Sequence, residues 1–356
     1  MQNLLAVVAA AALLLATVAC AAAAEPWSPE RARQWYARQP WLVGCNYVTS
    51  TAVNTTEMWQ AETFDLATID RELALAEGLG FNTVRVYLPF IVWEHDPPGL
   101  MARIDRFLGV AARHGIRVMV CLFDDCAFAG KQPYLGPQDA PVPGVHNSGW
   151  TPSPGSRLVT DPAARPRLER YVRGVVGTLA RDDRVVVWDL YNEPGNERMG
   201  NKSLPLLEAA FGWARQAQPV QPLTTGIWNA GLKDLNARTL DLSDVVSFHN
   251  YGDLGGVKRQ VTDLAARGRP VLCTEWMRRA GGSRFASHLP FFKQQRVGCW
   301  NWGLVTGKTQ THFPWGSPKG APEPKEPFHD IFRRDGTPYF AGEIAVIRQV
   351  TGAAGK

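Results

Sequence analysis

The sequence lacks several features by which large protein classes are identified. It has no long run of like charges: the net charge of +5 comes from scattered Lys and Arg, and the densest basic cluster is Arg278-Arg279. Nucleic-acid-binding surfaces need larger basic patches, so we expect no nucleic-acid partner. After residue 24, no apolar segment is long enough to span a bilayer. We therefore expect no membrane span in the mature chain.

Motifs for cofactors and metals are absent as well. No glycine-rich phosphate loop follows the first β-rich segment, and neither C-x-x-C nor H-E-x-x-H spacing occurs. We therefore expect no nicotinamide, flavin or phosphate cofactor and no metal site.

Cysteine is scarce. The chain has six, of which Cys20 lies in an N-terminal apolar segment and five follow it. An odd number cannot all pair, and most of the five lie in apolar, strand-like segments, a pattern typical of buried thiols. A disulfide bridge involving Cys126 remains an alternative.

Residues 1–24 form the apolar segment and end in small residues, with an A-x-A pattern before Glu25. This pattern predicts a cleaved signal peptide and a secreted or periplasmic protein. The segment has no Lys or Arg at its start. Residues 17–20 resemble a lipobox, so a lipid anchor on Cys20 at a membrane surface is a second interpretation. An uncleaved helix is the third, because about 20 apolar residues can span a bilayer.

The rest of the chain alternates short β-rich segments with amphipathic helical ones. Eight strands are predicted, at 41–46, 82–88, 116–123, 185–192, 223–228, 244–251, 270–275 and 297–303. Apolar residues at three- and four-residue spacing predict helices between them. Eight βα repeats predict an α/β fold, the (β/α)8 or TIM barrel. The alternative, an open doubly wound sheet, usually has the phosphate loop that is missing here.

No change in composition marks a second domain, so residues 25–356 are predicted to form one catalytic domain. Two long loops, 47–64 and 126–165, follow the first and third predicted strands. Both leave the carboxyl ends of strands, the face on which barrel enzymes build their sites. We expect these loops to shape substrate binding.

Two glutamates end two of the predicted strands. Glu193 shares its parity with Asp189 and Tyr191 in the fourth strand, and Glu275 shares its parity with Cys273 in the seventh. Side chains of equal parity point the same way. Three βα units separate the two glutamates, which places them nearly opposite each other across the barrel mouth. Glycoside hydrolysis and metal binding are the two chemistries that most often use such a pair.

The motifs around these glutamates resemble those of a known family. W-D-L-Y-N-E-P ends the fourth strand and T-E-W ends the seventh. This arrangement is similar to clan A glycoside hydrolases, and to the cellulase-like family 5 among them, from about residue 41 to residue 303. The resemblance implies a secreted, cofactor-independent enzyme of the cellulase, mannanase or xylanase type, with an oligo- or polysaccharide as its partner. It would cleave a plant- or microbe-type β-glycan with retention of configuration.

The resemblance assigns roles to the two glutamates and to two neighbours. Glu193 matches the general acid/base and Glu275 the nucleophile, so Glu193 has to be protonated when Glu275 is ionised. Asn192 matches the asparagine that binds the sugar 2-hydroxyl. Arg85 matches the arginine that holds the nucleophile ionised, and the alternative for it is a buried ion pair with Asp189.

Four further residues follow from the same resemblance. His249 and Tyr251 match the family's H-x-Y, in which the tyrosine hydrogen-bonds the nucleophile and the histidine lines the site. One of Trp300 and Trp302 is expected to form the platform under the sugar, and Trp302 is favoured over Trp300. Barrel packing is the alternative for either tryptophan.

The sequence departs from the family at the end of the third strand, where a histidine is common. Asp124 and Asp125 stand there instead. They are predicted to bind sugar hydroxyls; capping of the next segment and cation binding are alternatives. In the long third loop, Trp150 is a candidate for a distal sugar subsite.

Two other functions remain open at this stage. One is a metal-dependent hydrolase that uses Asp124, Asp125, His146 and His249. The other is a barrel that binds glycans without cleaving them.

Overall fold

The computed structural model describes residues 25–128 and 130–353. The three interpretations of residues 1–24 fall outside this range. The strands form one parallel sheet, with the order β5-β4-β3-β2-β1-β9-β8-β7-β6. The strand segments are β1 (Val43–Asn46), β2 (Thr83–Tyr87), β3 (Arg117–Asp124), β4 (Val185–Asn192), β5 (Leu223–Thr224), β6 (Gly226–Ile227), β7 (Val246–His249), β8 (Val271–Trp276) and β9 (Gly298–Asn301).

The predicted fifth strand is divided into β5 and β6. Only Thr225 separates the two pieces, and they lie at the two ends of the strand order, so the chain itself connects the edges of the sheet. The sheet thus curves into a nearly closed barrel. The predicted (β/α)8 fold is confirmed, and the predicted seventh and eighth strands are β8 and β9.

Helices surround the sheet. In the described residues they are α1 (Pro29–Ala37), α2 (Thr55–Trp59), α3 (Leu66–Gly78), α4 (Phe90–His95), α5 (Pro97–Arg113), α6 (Ser156–Val159), α7 (Arg165–Thr178), α8 (Leu204–Gln216), α9 (Lys233–Leu242), α10 (Leu254–Ala265), α11 (Phe285–Gln294) and α12 (Ala341–Thr351). Their starts follow local capping chemistry: the Asp65 and Asp96 side chains accept hydrogen bonds from the first turns of α3 and α5. No helix in this part of the chain is long and apolar enough to cross a membrane.

The strands are apolar because both faces of the sheet are covered. Every residue of β4 is buried, as expected for a parallel strand between a helix layer and the barrel interior. A separate apolar cluster contains Trp27 and Tyr36 beside Leu272 and Trp300. Through this cluster, Trp27 and helix α1 pack against residues of the barrel strands.

The described cysteines are unpaired. Cys45, Cys121, Cys273 and Cys299 are buried, as the sequence predicts, and Cys126 is partly exposed. The alternative of a bridge through Cys126 is therefore not realised in the structure.

Strand β1 approaches β2 so closely that it needs a residue without a side chain at one position. A Cβ atom on Gly44 would lie 1.6 Å from the Thr83 carbonyl oxygen. Because backbone atoms of a buried strand cannot move aside cheaply, we expect Gly44→Ala to lower the free energy of unfolding by about 3 kcal/mol. Urea denaturation measures this change.

Gly109→Ala is the matched control for this measurement. Gly109 lies within α5, and a Cβ atom there would have no neighbour within 4 Å. Alanine is favoured over glycine in helices, so the control should gain up to about 1 kcal/mol. Equal effects of the two substitutions would contradict a close approach of β1 to β2.

Candidate active site

A cleft of about 1090 Å³ opens at the carboxyl ends of the strands. Its floor contains the predicted pair, Glu193 after β4 and Glu275 in β8. Other predicted site residues that line it are Asn192, His249, Tyr251, Trp302 and Trp150. The barrel thus brings residues from five separate chain segments to one place.

Glu275 is held by three donors. Arg85 Nη1 lies 2.9 Å from its Oε1, the Tyr87 hydroxyl donates to the same oxygen over 3.0 Å, and the Tyr251 hydroxyl donates to Oε2 over 2.7 Å. The Glu275 side chain is only 6% exposed. The carboxylate is thereby fixed in position with its charge compensated.

Arg85 connects this carboxylate to the next strands. Its guanidinium is fully buried and donates to Asp189 Oδ2 at 2.9 and 2.7 Å, to Asn46 Oδ1 at 2.8 Å and to Asn192 Oδ1 at 2.8 Å. The two interpretations of Arg85 from the sequence are therefore realised together: it contacts Glu275 and forms a buried ion pair with Asp189.

Glu193 has a different set of neighbours. His249 Nδ1 lies 2.8 Å from its Oε1, and Oε2 accepts from Asn196 Nδ2 at 2.6 Å and from Cys126 Sγ at 3.2 Å. Its φ is +43°, in the left-handed region that non-glycine residues seldom adopt. The backbone turns sharply here, where β4 ends and its side chain enters the cleft.

These neighbours affect the protonation of Glu193. Burial raises the pKa of its carboxyl, but the hydrogen bond and charge of His249, with those of Cys126 and Asn196, outweigh burial and hold this pKa below its ordinary value. In the sugar-free cleft these contacts favour the ionised form of Glu193, whereas the predicted acid role requires a proton on Glu193 when the glycosidic bond breaks. The contact with His249 is one that the sequence does not specify.

The two glutamates and His249 form a compact group. One oxygen of each carboxylate and one imidazole nitrogen all lie within 4.8 Å of one another. His249 Nδ1 also lies 3.5 Å from Glu275 Oε2. In the part of the chain that is described, Asp124, Asp125 and His146 belong to no such group. The ligand set of the metal-dependent alternative is thus not assembled.

The structure corrects the prediction for Asp124. The residue is buried and does not line the cleft. Its oxygens accept from Trp150 Nε1 at 2.7 Å, from Asn192 Nδ2 at 2.8 Å and from the Cys126 amide at 2.8 Å. With these partners around it, Asp124 orients Asn192 and Trp150 and does not face a sugar. Burial raises the pKa of this carboxyl to about 7.

Asp125 requires the same correction. It is buried behind the cleft and accepts from the Tyr191 hydroxyl at 2.6 Å, from the Gly195 amide at 2.7 Å and from Ser203 Oγ at 2.5 Å. Burial raises the pKa of Asp125 to about 6. Its contact with the Gly195 amide fits the alternative of capping, because Asp125 fixes the turn that carries Glu193.

Trp300, in β9, and Trp302, just after it, lie at different depths in the barrel. Trp302 lines the cleft, and its ring centroid lies 6.0 Å from each of the Tyr87 and Trp150 rings. Trp300 is fully buried in the apolar cluster of α1, with Nε1 3.4 Å from Thr83 Oγ1. The platform interpretation is therefore wrong for Trp300. It shares parity with Trp302 but lies one layer deeper.

Trp150 is closer to the glutamates than a distal subsite would be. It is 1% exposed, and its ring packs edge-on against Tyr87, which donates to Glu275. Its loop folds back over the barrel mouth through the hydrogen bond to Asp124. The prediction that Trp150 forms a distal sugar subsite is therefore wrong. The contact with Asp124 depends on the path of the loop, which the periodicity of the sequence does not specify.

Several residues of the site are missing from the sequence-based prediction. Tyr87 has the same parity as Arg85 in β2, so this signal was available in the sequence. Asn46, at the end of β1, accepts from Arg85 and has the position of a strand-terminal residue. Cys126 and Asn196 contact Glu193 from loops, and no periodic pattern indicates their positions.

The chain resembles known proteins in both sequence and fold. The family model described as cellulase (glycosyl hydrolase family 5) matches residues 44–308. No curated protein matches the chain. The solved structures described next are 13–19% identical to this chain in sequence, so they show the fold alone.

Three of these structures illustrate the similarity. GH5_18 from Streptomyces cattleya in complex with GlcNAc has a TM-score of 0.57 at 17% identity, over 88% of this chain and 79% of that one. An exo-β-1,4-mannosidase from Opitutaceae bacterium strain TAV5 has a TM-score of 0.57 at 19% identity, over 88% and 60%. An endo-β-1,4-mannanase from Thermotoga petrophila has a TM-score of 0.55 at 13% identity, over 87% and 76%.

The raised pKa of Asp124 predicts a pH dependence of stability. In the folded protein this carboxyl keeps its proton up to about pH 7, whereas in the unfolded chain it ionises near its ordinary pKa of 3.8. Wild-type protein therefore loses stability through this group as the pH rises across that window. Asn cannot titrate. The free energy of unfolding of Asp124→Asn relative to wild type should thus rise by about 1.4 kcal/mol per pH unit and level off above pH 7.

Urea denaturation of both proteins at several pH values between 4 and 8 measures this slope. Asp335→Asn is the control, because hydrogen bonds from Thr337 lower the pKa of that exposed carboxyl. It should show no rise over the same window. A difference between Asp124→Asn and wild type that stays constant with pH would show that Asp124 titrates normally.

Proposed function

The chain belongs to glycosyl hydrolase family 5 and is a glycoside hydrolase; we propose that it is secreted and cleaves β-glycosidic bonds with retention of configuration. The observation that carries the proposal is the pair of opposed carboxylates, with oxygens within 4.8 Å of each other. Retaining enzymes place their carboxyl groups about 5–5.5 Å apart, and inverting enzymes about 6.5–9.5 Å apart. The shorter separation leaves no room for a water between the glutamate and the sugar.

In the first step, a Glu275 oxygen attacks the anomeric carbon and the bond from that carbon to the leaving oxygen breaks. Glu193 gives its proton to the leaving oxygen, so the first product departs and a glycosyl ester with Glu275 remains. Arg85, Tyr87 and Tyr251 hold the Glu275 carboxylate in position before the attack.

Glu193 needs a proton for this step. In the sugar-free cleft its contacts hold its pKa low, and one of them is with His249 Nδ1, 2.8 Å from Oε1. A bound sugar expels water, which disfavours the charged carboxylate relative to the neutral acid. Glu193 therefore takes up a proton when the sugar binds and gives it to the leaving oxygen.

In the second step a water attacks the glycosyl ester. Formation of the ester removes the negative charge of Glu275, so Glu193 loses a like charge nearby and its ionised form is favoured. Glu193 then accepts the proton of the attacking water, and Glu275 leaves as a carboxylate. The configuration at the anomeric carbon is inverted twice and is therefore retained.

Other residues position the sugar. Asn192 is fixed from both sides, by Arg85 and by Asp124, and it lines the cleft beside Glu193. We assign it to the sugar 2-hydroxyl, where a hydrogen bond strengthens in the transition state. The face of Trp302 supplies the apolar platform.

A β-linked hexose polymer is the proposed substrate class. Solved structures of similar fold include a GH5_18 in complex with Manβ1-4GlcNAc and two endo-β-1,4-mannanases. This makes β-mannans the first substrates to test, with β-glucan, xylan and galactan beside them. The proposal that the protein is secreted depends on the signal-peptide pattern of residues 1–24. Attachment to a membrane surface through a lipid on Cys20 is the alternative to free secretion.

The experiment that tests the function is reducing-sugar release from these four glycans, in the presence of a chelator. Wild-type protein should release sugar, and Glu275→Gln should lose at least about four orders of magnitude in kcat, because a neutral amide cannot form the ester. Glu169→Gln, on the surface of α7, is the control and should keep wild-type rates. A fully active Glu275→Gln would refute the nucleophile assignment, and an α-configured first product in NMR would refute retention.

Glu193→Ala separates the acid role from a merely structural one. On a natural glycan, loss of the acid should reduce kcat/KM by about 10²–10⁴-fold. On a dinitrophenyl glycoside, whose leaving group needs no proton, kcat/KM should change by less than about tenfold. Steady-state kinetics with both substrates test this, and equal losses on the two would argue against an acid at this position.

A further inference from the structure

We propose that the cleft is closed beyond a single sugar-binding position, so that the enzyme removes one sugar at a time from the non-reducing end of a glycan chain. The inference rests on the proposed function, because it assigns the two sides of the cleft from the role of Glu193. It concerns the mode of cleavage and follows from three loops that lie outside the carboxylate network.

The cleft is asymmetric about the two glutamates. On one side it ends at Trp150 and Trp302, whose rings pack against each other. On the other side it continues along the exits of β6 and β7. The lining residues there are Trp228, Asn229, Lys233, Asn236, Arg259 and Gln260. Among the described residues of the cleft lining, none comes from the first loop, 47–64.

Trp150 belongs to a wall that stands behind Trp302 and is made of residues 50–57, 142–150 and 307–320. His146, Asn147 and Trp315 of this wall also line the cleft. Its second and third segments are joined by backbone hydrogen bonds, from Asn147 N to Thr309 O and from Gly320 N to Pro143 O, both 2.8 Å. The Gln310 side chain spans the same junction. It donates to Val142 O at 2.7 Å and accepts from Gly144 N at 3.0 Å.

The first loop completes the wall from the other flank. Lys308 N donates to Ser50 O at 3.0 Å, and Lys308 Nζ lies 2.5 Å from Glu57 Oε1. Asn54 Nδ2 donates to Gly149 O at 3.0 Å. All three segments therefore contact each other, and backbone groups of each are satisfied by the others. The wall is therefore held by contacts between its segments, among which those of the Gln310 side chain join the second segment to the third.

The chemistry decides which end of the glycan meets the wall. A general acid has to lie next to the leaving oxygen, so the leaving part of the chain extends from Glu193 toward the open side. Trp228 lies on that side and its Nε1 donates to Pro194 O at 3.0 Å, one residue after the acid. The sugar attacked by Glu275 rests at Trp302, with the wall behind it. One sugar fits there, and it must be a chain end.

The experiment uses borohydride-reduced hexasaccharides of β-1,4-linked mannose, glucose and xylose, with products followed over time by mass spectrometry. Exo cleavage from the non-reducing end gives the monosaccharide and the reduced pentamer first, then the reduced tetramer. Early appearance of unreduced di- and trisaccharides would overturn the inference while leaving the glycosidase intact. If none of the hexamers nor the polymeric glycans is cleaved, the proposed function itself fails.

Gln310→Ala tests whether the wall is responsible. Gln310 does not line the cleft, and its loss removes the side-chain contacts that join two of the three segments. The ratio of disaccharide to monosaccharide released should rise at least fivefold, with the initial rate on a nitrophenyl monoglycoside kept. Gln294→Ala, exposed at the end of α11, is the control and should leave the ratio unchanged. An unchanged ratio in Gln310→Ala would refute the assignment of exo action to the wall.

Discussion

The site depends on a positive charge that is kept entirely out of water. The Arg85 guanidinium is fully buried, and its donors reach oxygens of Asp189, Glu275, Asn192 and Asn46. A buried charge is tolerable only when it is paired and hydrogen-bonded, so each of these oxygens is required where it stands. Because the partners belong to β1, β4 and β8, one side chain of β2 links most of the barrel circumference at the floor of the cleft.

This arrangement explains why the two glutamates differ although they lie so close together. Glu275 accepts hydrogen bonds from the Arg85 guanidinium and from two tyrosine hydroxyls. Glu193 instead contacts an imidazole, an amide and a thiol. A guanidinium stays protonated at any physiological pH, but an imidazole can take up or release a proton. One carboxylate thus has a permanent counter-charge and the other has a partner with which it can exchange a proton.

The sequence predicts the part of this site that depends on strands. Eight buried segments are sufficient to place Glu193, Glu275 and Arg85 at one end of the barrel, because the carboxyl ends of parallel strands meet there. Parity is not kept at the end of β4, where Asn192 and Glu193 both line the cleft and Tyr191 contacts Asp125 behind it. Some of the missing or misplaced residues, Cys126, Asn196 and Trp150, lie in loops, where no period applies, whereas Tyr87 was missed although it shares the parity of Arg85 in β2. Cys126 comes from a loop, and Asp124 reaches behind the cleft because the indole of Trp150 returns to it from 26 residues away. Such contacts follow from the path of a loop, which no local pattern records.

Strands and loops also have different roles in function: the residues that cleave the bond lie on or next to strands, and those that select the bond lie in loops. The carboxylate pair rests on buried strands, where moving one atom would leave charges unpaired, so its geometry is strongly constrained. The wall is made of loop segments held by backbone hydrogen bonds at the surface of the barrel, and changes there leave the Arg85 network in place. The length of glycan bound on the closed side can therefore change without altering the reaction. In this fold, cleavage of the bond is specified by residues close to strand ends, and the choice of bond along the chain by contacts between loops far apart in sequence.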